Sequence, residues 1–536
     1  MGGQSIPTFD YGLAPYVSKT FIGYVDRYID IMSTDSTCDC AENELLRNAL
    51  KERLTDYWKE RNGRMLDKIG LSYVKSEIEG RFPYIDSEHC IDKCFKYTEN
   101  ETYQGMEALI HNLNTMNSRA GAQVPFSSIN YGTDTSVEGR MITKNVLLAH
   151  EAGLGSGETP IFPIHIFKCK QGINMNDGEP NYDLFKLACR VSAKRLFPNF
   201  ENIDAPFNLQ YYKEGKPETE IATMGCRTRV IGNVYDTERE IVTGRGNLSF
   251  TTINLPRLAI LSSGNLDEFY ERLDSMMSLV KEQLLDRFEI QCNKTIKNYP
   301  FLMAQGVWID SEKLNMDDDL RSVLSHGSLS IGFIGLAEAL KSLTGNHHGE
   351  NEESQKLGLE IISRMRSYVD RMADKYKLNF SLLATPAEGL SGRFLRIDRE
   401  RFGVIEGVTD RDYYTNSFHV PVYHQISVVN KIDIEAPYHA LTNAGHISYV
   451  ELDGDPSRNL ASFEKIVKYM CSKGIGYGSI NHPVDRDPIC GYTGIIYDTC
   501  PYCGRKDGEP LTPEKYREII SKNKIPKLDS FMNAED

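Results

Sequence analysis

The chain has no long hydrophobic run. No apolar stretch in its 536 residues approaches the roughly 20 residues that a membrane-spanning helix needs. The opening residues, Met1 to Pro7, contain neither the basic start nor the apolar core of a secretory signal peptide. These absences predict a cytoplasmic protein without a membrane partner.

An excess of positive charge is also missing. The formal net charge of −14 argues against non-specific binding to nucleic acid or to a membrane surface. Nucleotide binding is still possible, because it needs only a local cluster of donors and cations. The 12 cysteines, in a chain with no export signal at its start, fit a reducing compartment.

Internal repeats, low-complexity linkers and a P-loop are absent as well. Ser328–Glu338 is rich in small residues but lacks the lysine and the spacing of a P-loop, so it predicts no ATPase. Two interpretations of this segment stay open. It is either a helix start that binds phosphate through free backbone N–H groups, or a helix that packs through small residues.

Hydrophobic periodicity predicts an α/β fold. Long amphipathic helices alternate with short apolar segments that are typical of strands, which favours a largely parallel sheet with helical crossovers. The predicted helices are Glu42–Met65, Asn265–Arg287 and Ser354–Lys375, and the predicted strands are Pro160–Phe167, Thr251–Leu255 and His446–Leu452.

A single cysteine, Cys226, carries most of the functional information. It lies in the run Ala222–Arg229, where Gly225 permits a sharp turn and arginines flank the sulfur. Cationic neighbours favour a reactive thiol, whereas the alternative is a buried structural cysteine. Asn247 follows in Gly244–Leu248, and its amide can orient sugar hydroxyls unless it is merely a turn or cap residue.

Three further segments offer hydroxyl, amide and guanidinium donors on backbone broken by glycine or proline. They are Asn117–Ser128, Leu383–Arg393 and Tyr413–His419, and such donors suit sugar and phosphate oxygens. Individual members, for example Glu388 and His419, can equally be structural. The candidate substrate-binding residues are Ser118, Arg119, Gln123, Thr385, Glu388, Arg393, Asn416, Ser417 and His419.

In this order along the chain, these motifs resemble the anaerobic ribonucleoside-triphosphate reductases, a family of glycyl radical enzymes. The resemblance implies a large ten-stranded α/β barrel with a finger loop at residues 222–229. It makes Cys226 the thiyl residue and Asn247 the ribose-contacting amide, and it places Met224 in the catalytic loop. The implied reaction converts ribonucleoside triphosphates to 2′-deoxyribonucleoside triphosphates.

The resemblance also implies partners. ATP and deoxynucleoside triphosphates would act as effectors, at a site that we expect among the helices between residues 42 and 117. A homodimer and an iron–sulfur, S-adenosylmethionine-dependent activating enzyme are expected too. Other glycyl radical enzymes, such as the pyruvate formate-lyases, commonly carry two adjacent cysteines in this loop, whereas Cys226 is single.

Compared with the family, both ends of the chain look cut. The first barrel strand is expected to be missing, and a polar tail at 505–536 replaces the glycyl radical domain, since no Arg-x-x-Gly-Tyr segment is found. We therefore expect a radical supplied from outside the chain, on a separate glycyl radical domain. The alternative is a catalytically incomplete nucleotide-binding fragment or assembly subunit. The predicted division is a barrel core at 1–475, a zinc-knuckle segment at 476–504 and the tail.

A cysteine-rich segment near the end predicts a structural zinc site. Cys490, Cys500 and Cys503 lie on glycine turns, and Asp487 stands where the family carries its first cysteine. An Asp oxygen can ligate zinc, and His482 is nearby; an unmetallated relic is the alternative. Gly491 is interpreted as a turn of this knuckle. A second group, Cys38, Cys40, Cys90 and Cys94, is either another metal site or ordinary thiols.

Overall fold

The computed structural model describes residues 3–34, 40–118, 121–155, 157–487, 489–506 and 508–523. The strands are β1 Gln4–Ile6, β2 Ser127–Tyr131, β3 Ile164–Cys169, β4 Asn199–Asn202, β5 Thr223–Met224, β6 Thr228–Arg229, β7 Asn247–Asn254, β8 Ser328–Ile334, β9 Asn379–Ala384, β10 Ser448–Glu451, β11 Tyr477–Asn481, β12 Asp485–Arg486 and β13 Thr493–Gly494. The helices are α1 Phe9–Thr34, α2 Cys40–Glu60, α3 Lys68–Arg81, α4 Ser87–Thr115, α5 Val137–Ala152, α6 Tyr182–Arg195, α7 Pro206–Leu209, α8 Leu255–Ser262, α9 Leu266–Cys292, α10 Arg321–Leu324, α11 Leu336–Thr344, α12 Glu352–Tyr376, α13 Glu388–Phe402, α14 Val428–Leu441, α15 Leu460–Ser472 and α16 Pro513–Asn523.

Two sheets organise the molecule. The larger has the order β1-β2-β3-β4-β11-β10, and its strands are parallel except where β4 meets β11. The smaller is the parallel sheet β7-β8-β9. Helices connect the parallel strands, as parallel pairing requires. The predicted α/β class is therefore confirmed.

Each sheet buries one face under helices. On β8, Leu329, Ile331 and Phe333 point into a core formed with α8, α9, α11 and α12, because alternate residues of a strand face the same side. On β2, Ile129 and Tyr131 join a second core with α1 to α6. Full burial of one such apolar side chain contributes about 1.5–3 kcal/mol. The opposite, helix-free faces remain for the functional residues.

The two sheets meet at Gly445, just before β10. Its backbone forms a parallel bridge with Leu383 of β9, and its carbonyl accepts the N–H of Ala384 at 3.0 Å. The order of paired strands thus runs from β1 to β10 and, through this bridge, on to β9, β8 and β7. The ladders described are six- and three-stranded, and the ten-stranded barrel stays a prediction.

The predicted secondary structure agrees closely with the observed elements. The predicted helices correspond to α2, α9 and α12, and the predicted strands to β3, β7 and β10. In α9 the apolar stripe predicted to be internal is buried at Leu273, Met277 and Leu284. The long helices were recognisable because their apolar positions recur over six or seven turns.

Three details differ from the prediction. Ser328–Ile334 is the central strand β8, so neither helical interpretation of that part holds; the helix α11 begins only at Leu336. The strand predicted from Pro160 begins at Ile164, after a cis Phe162–Pro163 bond, since proline offers no N–H to a ladder. The third concerns the helix predicted at Glu42–Met65: its apolar residues do not all face inward, because Leu45 is 71% exposed.

No helix within the described ranges combines the length and the apolar character needed to cross a bilayer.

Candidate active site

The predicted finger loop is a short hairpin. Strands β5 and β6 pair antiparallel through Thr223 with Arg229 and Met224 with Thr228, and Gly225, Cys226 and Arg227 form its tip. Gly225 has a φ of +62°, and a Cβ there would lie 2.8 Å from the Phe126 ring. Glycine is therefore required both for the turn and for the close approach.

The hairpin lies between the helix-free faces of the two sheets. On one side, Ser128 and Asn130 of β2 hydrogen-bond its backbone. On the other side, Arg229 donates its N–H to the carbonyl of Ala444 at 2.8 Å, and Thr228 bridges to Gly445. The loop is thus held by both sheets.

Arg229 anchors the base of the hairpin through neutral partners. Its Nη1 donates to Nε2 of His446 at 3.2 Å, and its Nη2 donates to Oδ1 of Asn208. Burial holds the pKa of His446 well below its usual value, so the ring is neutral and accepts this bond. Burial also lowers the pKa of Arg229 to about 10, with buried Glu201 as the opposing charge.

The Cys226 thiol is half-buried and packs against an apolar cluster. That cluster contains Phe162, Ile164, Ile447 and Tyr477. Burial raises the pKa of Cys226; the neighbouring Arg227 lowers it only in part, and Glu388 adds to the rise. The cationic flanks therefore do not lower the thiol pKa, because desolvation outweighs the one nearby cation. The sulfur keeps its hydrogen.

Arg227 has few partners for a buried cation. It is 3% exposed, its Nη1 donates to the carbonyl of Thr385 at 3.4 Å, and its Nε has no hydrogen-bond partner in the described structure. Its guanidinium also lies 5.9 Å from the centre of the Tyr449 ring. This links the finger tip to the end of β9, where Thr385 follows the strand.

Asn247 starts strand β7 rather than forming a turn or a helix cap. Its Nδ2 donates to Oγ of Ser328 at 3.0 Å and to Oγ of Ser330 at 2.6 Å. Ser330 in turn bonds Ser381 of β9 at 3.0 Å. No hydrogen bond joins Asn247 to Cys226 in the described structure, and the amide is instead part of a polar row across the helix-free face.

This polar row continues at the other end of the sheet. Thr252 and Thr385 bring their hydroxyls within 3.1 Å of each other above Gly332. A Cβ on Gly332 would lie 2.1 Å from Oγ1 of Thr385. Thr252, Ser330 and Ser381 were not among the predicted site residues, although the alternation of serine with apolar residues in β8 indicates a strand with one polar face.

A cleft of about 450 Å³ opens at the start of α13. Among its lining residues are three predicted substrate-binding residues, Glu388, Arg393 and Asn416. Arg396, one turn after Arg393, adds a second guanidinium that was not predicted. The N-cap residue of α13 is Ala387, whose side chain cannot accept a hydrogen bond from the first N–H groups of the helix. Two guanidiniums and a helix N-terminus suit an anionic group, while the carboxylates of Glu388 and Asp412, which also line the cleft, suit hydroxyl groups.

The remaining candidates divide into two groups. Thr385 contacts Arg227, Ser417 is fully buried with a φ of +40° and an unpartnered hydroxyl, and His419 is buried with Nε2 2.9 Å from the carbonyl of Ile447. Ser118 and Gln123 are exposed and make no side-chain hydrogen bond to the finger loop in the described ranges. Arg119 lies outside the described residues.

The loop before α14 bonds backbone N–H groups at the start of α11. Gly335 and Leu336 donate their N–H groups to the carbonyls of Thr415 and Ser417. The buried Glu338 accepts the N–H and the hydroxyl of Thr415. The helix start that the small-residue segment suggested is therefore occupied by the protein itself.

The C-terminal cluster brings its four predicted ligands together. One ligand atom each of Asp487, Cys490, Cys500 and Cys503 lies within 4.8 Å of the others. The sulfurs of Cys490 and Cys500 are 3.6 Å apart, which matches the spacing of about 3.8 Å across a zinc tetrahedron with Zn–S bonds of about 2.3 Å. The residues present therefore fit a metal such as zinc.

The carboxylate of Asp487 is held firmly in this cluster. Its Oδ1 accepts the N–H groups of Ile489 and Cys490, and its Oδ2 accepts Nε of Arg505 at 2.8 Å. Although burial opposes ionisation, these bonds lower the pKa of Asp487. His482 instead bonds the carbonyl of Ser192 at 3.1 Å, and the cluster found in the described residues does not include it.

The other cysteine group gives no metal site in the described residues. Cys90 and Cys94 are fully buried one turn apart on α4, within the helical core. Cys38 lies outside the described residues, and nothing is described of the Cys40 side chain. The interpretation as ordinary thiols fits Cys90 and Cys94.

Comparison with known families agrees with the sequence resemblance. The family described as "Anaerobic ribonucleoside-triphosphate reductase" matches residues 1–519. The enzyme of that name from Escherichia coli K12 is 35% identical over 426 residues, covering 77% of this chain and 58% of its own length. The phage T4 enzyme is also 35% identical over 426 residues, covering 77% of this chain and 67% of its own length. The chain thus spans about three-fifths of the E. coli relative.

Solved structures share the fold. The anaerobic ribonucleotide reductase from Thermotoga maritima with dATP bound in the specificity site aligns over 86% of this chain and 74% of its own, with a TM-score of 0.54 and 17% identity. The B12-independent glycerol dehydratase from Clostridium butyricum aligns over 86% of this chain and 71% of its own, with a TM-score of 0.53 and 9% identity. Since the family match covers nearly the whole chain and the relatives exceed 30% identity, the protein belongs to the anaerobic ribonucleoside-triphosphate reductase family.

Proposed function

We propose that this chain reduces ribonucleoside triphosphates to 2′-deoxyribonucleoside triphosphates through a thiyl radical on Cys226. One observation carries the proposal. A half-buried thiol stands at the tip of a hairpin held between two sheets, and the neighbouring Arg227 donates to the carbonyl of Thr385, three residues before Glu388 of the cleft. Membership of the family supports the same reaction.

A protonated sulfur suits hydrogen-atom chemistry. In the proposed first step the thiyl radical takes the hydrogen atom from the ribose 3′ carbon, forming an S–H bond and leaving a carbon radical. The 2′ hydroxyl then leaves as water after gaining a proton, and two electrons and a further proton come from a reductant. Finally, the Cys226 S–H returns its hydrogen atom to the 3′ carbon. The sum is loss of one water with uptake of two electrons and two protons.

The cleft at α13 is the proposed substrate site. Arg393 and the helix start would hold phosphate oxygens, since a guanidinium and free N–H groups both favour anions. Glu388 and Asn416 would contact the sugar. Asn247 would orient the ribose hydroxyls from β7, as the family resemblance implies, with Met224 beside the thiol. His419, which bonds the carbonyl of Ile447 in the cluster that Cys226 packs against, and the buried Ser417 would complete the site.

The proposed function also requires a radical source, a metal, effectors and partner proteins. When present on a separate domain, a glycyl radical would supply the oxidising equivalent for the thiol. Zinc at Asp487, Cys490, Cys500 and Cys503 would be structural, because four protein ligands leave no position for substrate. ATP and deoxynucleotide effectors would bind among α2, α3 and α4, and the chain would act as a homodimer with an iron–sulfur activase. A tenth strand between β1 and β7 would complete the barrel.

The decisive experiment is anaerobic reconstitution. The chain is mixed with an activase, S-adenosylmethionine, a reductant and a separately supplied glycyl radical domain, and deoxynucleotide formation is measured. Turnover that Cys226→Ala abolishes supports the proposal. Nucleotide binding without turnover under every complementation would instead support the alternative, a nucleotide-binding or assembly subunit.

A further inference from the structure

The finger hairpin is too short to hold itself in place. It has two paired positions, and even a longer isolated two-stranded hairpin is only marginally stable in water. Its second strand, β6, has backbone partners at Ala444 and Gly445. Its first strand, β5, pairs within the described residues with no strand other than β6. Another group must hold the backbone that leads to Cys226.

Side chains of β2 provide that support. Oδ1 of Asn130 accepts the N–H of Thr223 at 2.9 Å, and Nδ2 of Asn130 donates to the carbonyl of Thr223 at 3.0 Å. Oγ of Ser128 accepts the N–H of Gly225 at 3.0 Å. Going back along β2 from Asn130 to Ser128, the bonded residue of the hairpin moves forward from Thr223 to Gly225. This is the spacing of an antiparallel ladder, made here by side chains.

The β2 backbone cannot make these bonds itself. Both of its edges are already paired, with β1 on one side and β3 on the other. Only a side chain on the helix-free face can reach the hairpin, and a carboxamide carries a donor and an acceptor side by side, as a peptide group does. Ser5 adds a third contact, donating to the same Thr223 carbonyl at 3.2 Å.

We propose that Asn130, with Ser128, is the positioning residue that fixes the finger loop and thereby the Cys226 sulfur. The chemical purpose rests on the proposed function, whereas the contact itself does not. A reacting group must be held within about 0.5 Å of its productive position. Asn130 is fully buried, and so is Thr223. Loss of the amide therefore leaves two buried backbone groups of the loop without this partner.

The test measures the loop directly by hydrogen exchange with mass spectrometry. We expect Asn130→Leu to speed amide exchange in peptides covering residues 222–229 by about tenfold or more, because buried backbone groups lose their bonds. Alkylation of Cys226 by iodoacetamide should accelerate in parallel. The matched control is Asn145→Leu, since Asn145 is also buried but bonds Met141 within its own helix. It should lower the unfolding midpoint without changing the loop.

A second variant covers the possibility that Asn130→Leu fails to fold. Ser128→Ala removes only the acceptor for Gly225, so we expect faster exchange at that amide alone. In the reconstituted enzyme, Asn130→Leu should lower kcat by up to about 100-fold with little change in KM, as expected for a misplaced reacting group. Loop exchange and Cys226 alkylation that match the Asn145→Leu control would overturn the proposal. Hydrogen exchange and alkylation need neither the radical nor the nucleotide, so this result would overturn the role of Asn130 without contradicting the proposed reaction.

Discussion

The finger loop and the C-terminal cluster place the same side chain in opposite surroundings. At Cys226, burial raises the thiol pKa and Arg227 offsets only part of that rise. At Cys500, burial acts in the same direction, but hydrogen bonds from the N–H groups of Cys503 and Tyr502 and from the neighbouring thiols more than offset it, so the pKa is lowered. The other two sulfurs of the cluster do not follow, because burial raises the pKa of Cys490 to about 12 and raises that of Cys503. Burial thus dominates at Cys226, whereas hydrogen bonds to the sulfur dominate at Cys500.

This difference matches two kinds of chemistry. Hydrogen-atom transfer needs an S–H bond, while a metal ligand or a nucleophile is the thiolate. The distinction does not come from residue type or from nearby arginines in the sequence. It comes from how far each sulfur is buried and from which groups hydrogen-bond to it, and only the fold decides that.

Removing the sulfur of the finger loop should have the largest effect. We expect Cys226→Ala to lower deoxynucleotide formation by at least about 10⁴-fold, because no other group in the loop can form the radical. Thermal unfolding and zinc content should stay unchanged. Cys471→Ala, which removes another half-buried thiol, is the control and should retain activity. If Cys226→Ala lost less than this factor in deoxynucleotide formation, Cys226 would not be the catalytic thiol, and the contrast with the metal-binding cysteines would fail.

Removing a ligand of the C-terminal cluster should lower the zinc content, which Cys226→Ala leaves unchanged. We expect Cys490→Ser and Asp487→Ala to weaken zinc binding by more than the roughly 100-fold that outer hydrogen-bond partners account for. Zinc content is measured by elemental analysis and affinity by chelator competition, with Cys226→Ala as the matched control. Equal zinc content in Asp487→Ala and the unchanged chain would remove Asp487 from the ligand set.

The cleft beside the finger loop should respond through substrate binding. We expect Arg393→Ala to raise the KM for ribonucleoside triphosphate about tenfold to 100-fold, since a hydrogen bond to a charged group contributes about 1.5–3 kcal/mol. Arg401→Ala, on the same helix but away from the residues that line the cleft, is the control. A fall in kcat with an unchanged KM would place the triphosphate elsewhere.

The smallest effect concerns the pH dependence of Cys226 alkylation. Because burial raises the thiol pKa, the alkylation rate should rise only above the pH at which an exposed cysteine reacts. Arg227→Gln removes a charge that lowers this pKa, so the midpoint should move to higher pH. Glu388→Gln removes a charge that raises it, so the midpoint should move to lower pH. Shifts of the same sign in both variants would contradict the electrostatic account.

Much of the fold was predictable because its signals are local and repeated. The helices α9 and α12 show the apolar stripe over many turns, and the strands alternate with them. The strand β8 was harder, since a run such as Ser328–Ile334 is short and its glycine and serines also suit a helix contact. The division into a six-stranded and a three-stranded sheet could not be predicted, because it depends on pairing between distant segments of the chain.

In the candidate site, too, residues in local motifs were predictable and residues defined by distant contacts were not. Cys226, Glu388, Arg393 and Asn416 were predicted as site residues because short motifs carry them, and the last three line one cleft. The roles of Asn130 and Arg229 depend on contacts across 93 and 217 residues, which no local pattern contains. The burial that raises the pKa of Cys226 could not be predicted, because flanking charge is visible in a sequence and burial is not.

Gly445 has a consequence for how the molecule tolerates change. Its φ is +142°, and an added Cβ would fall 2.0 Å from the Arg227 carbonyl oxygen. Two separate segments meet its backbone, β6 at Thr228 and β9 at Leu383 and Ala384. A single methyl group at this position would push the hairpin away from the strand end, so the alignment of the reactive sulfur depends on a residue with no side chain, more than two hundred positions away in the chain.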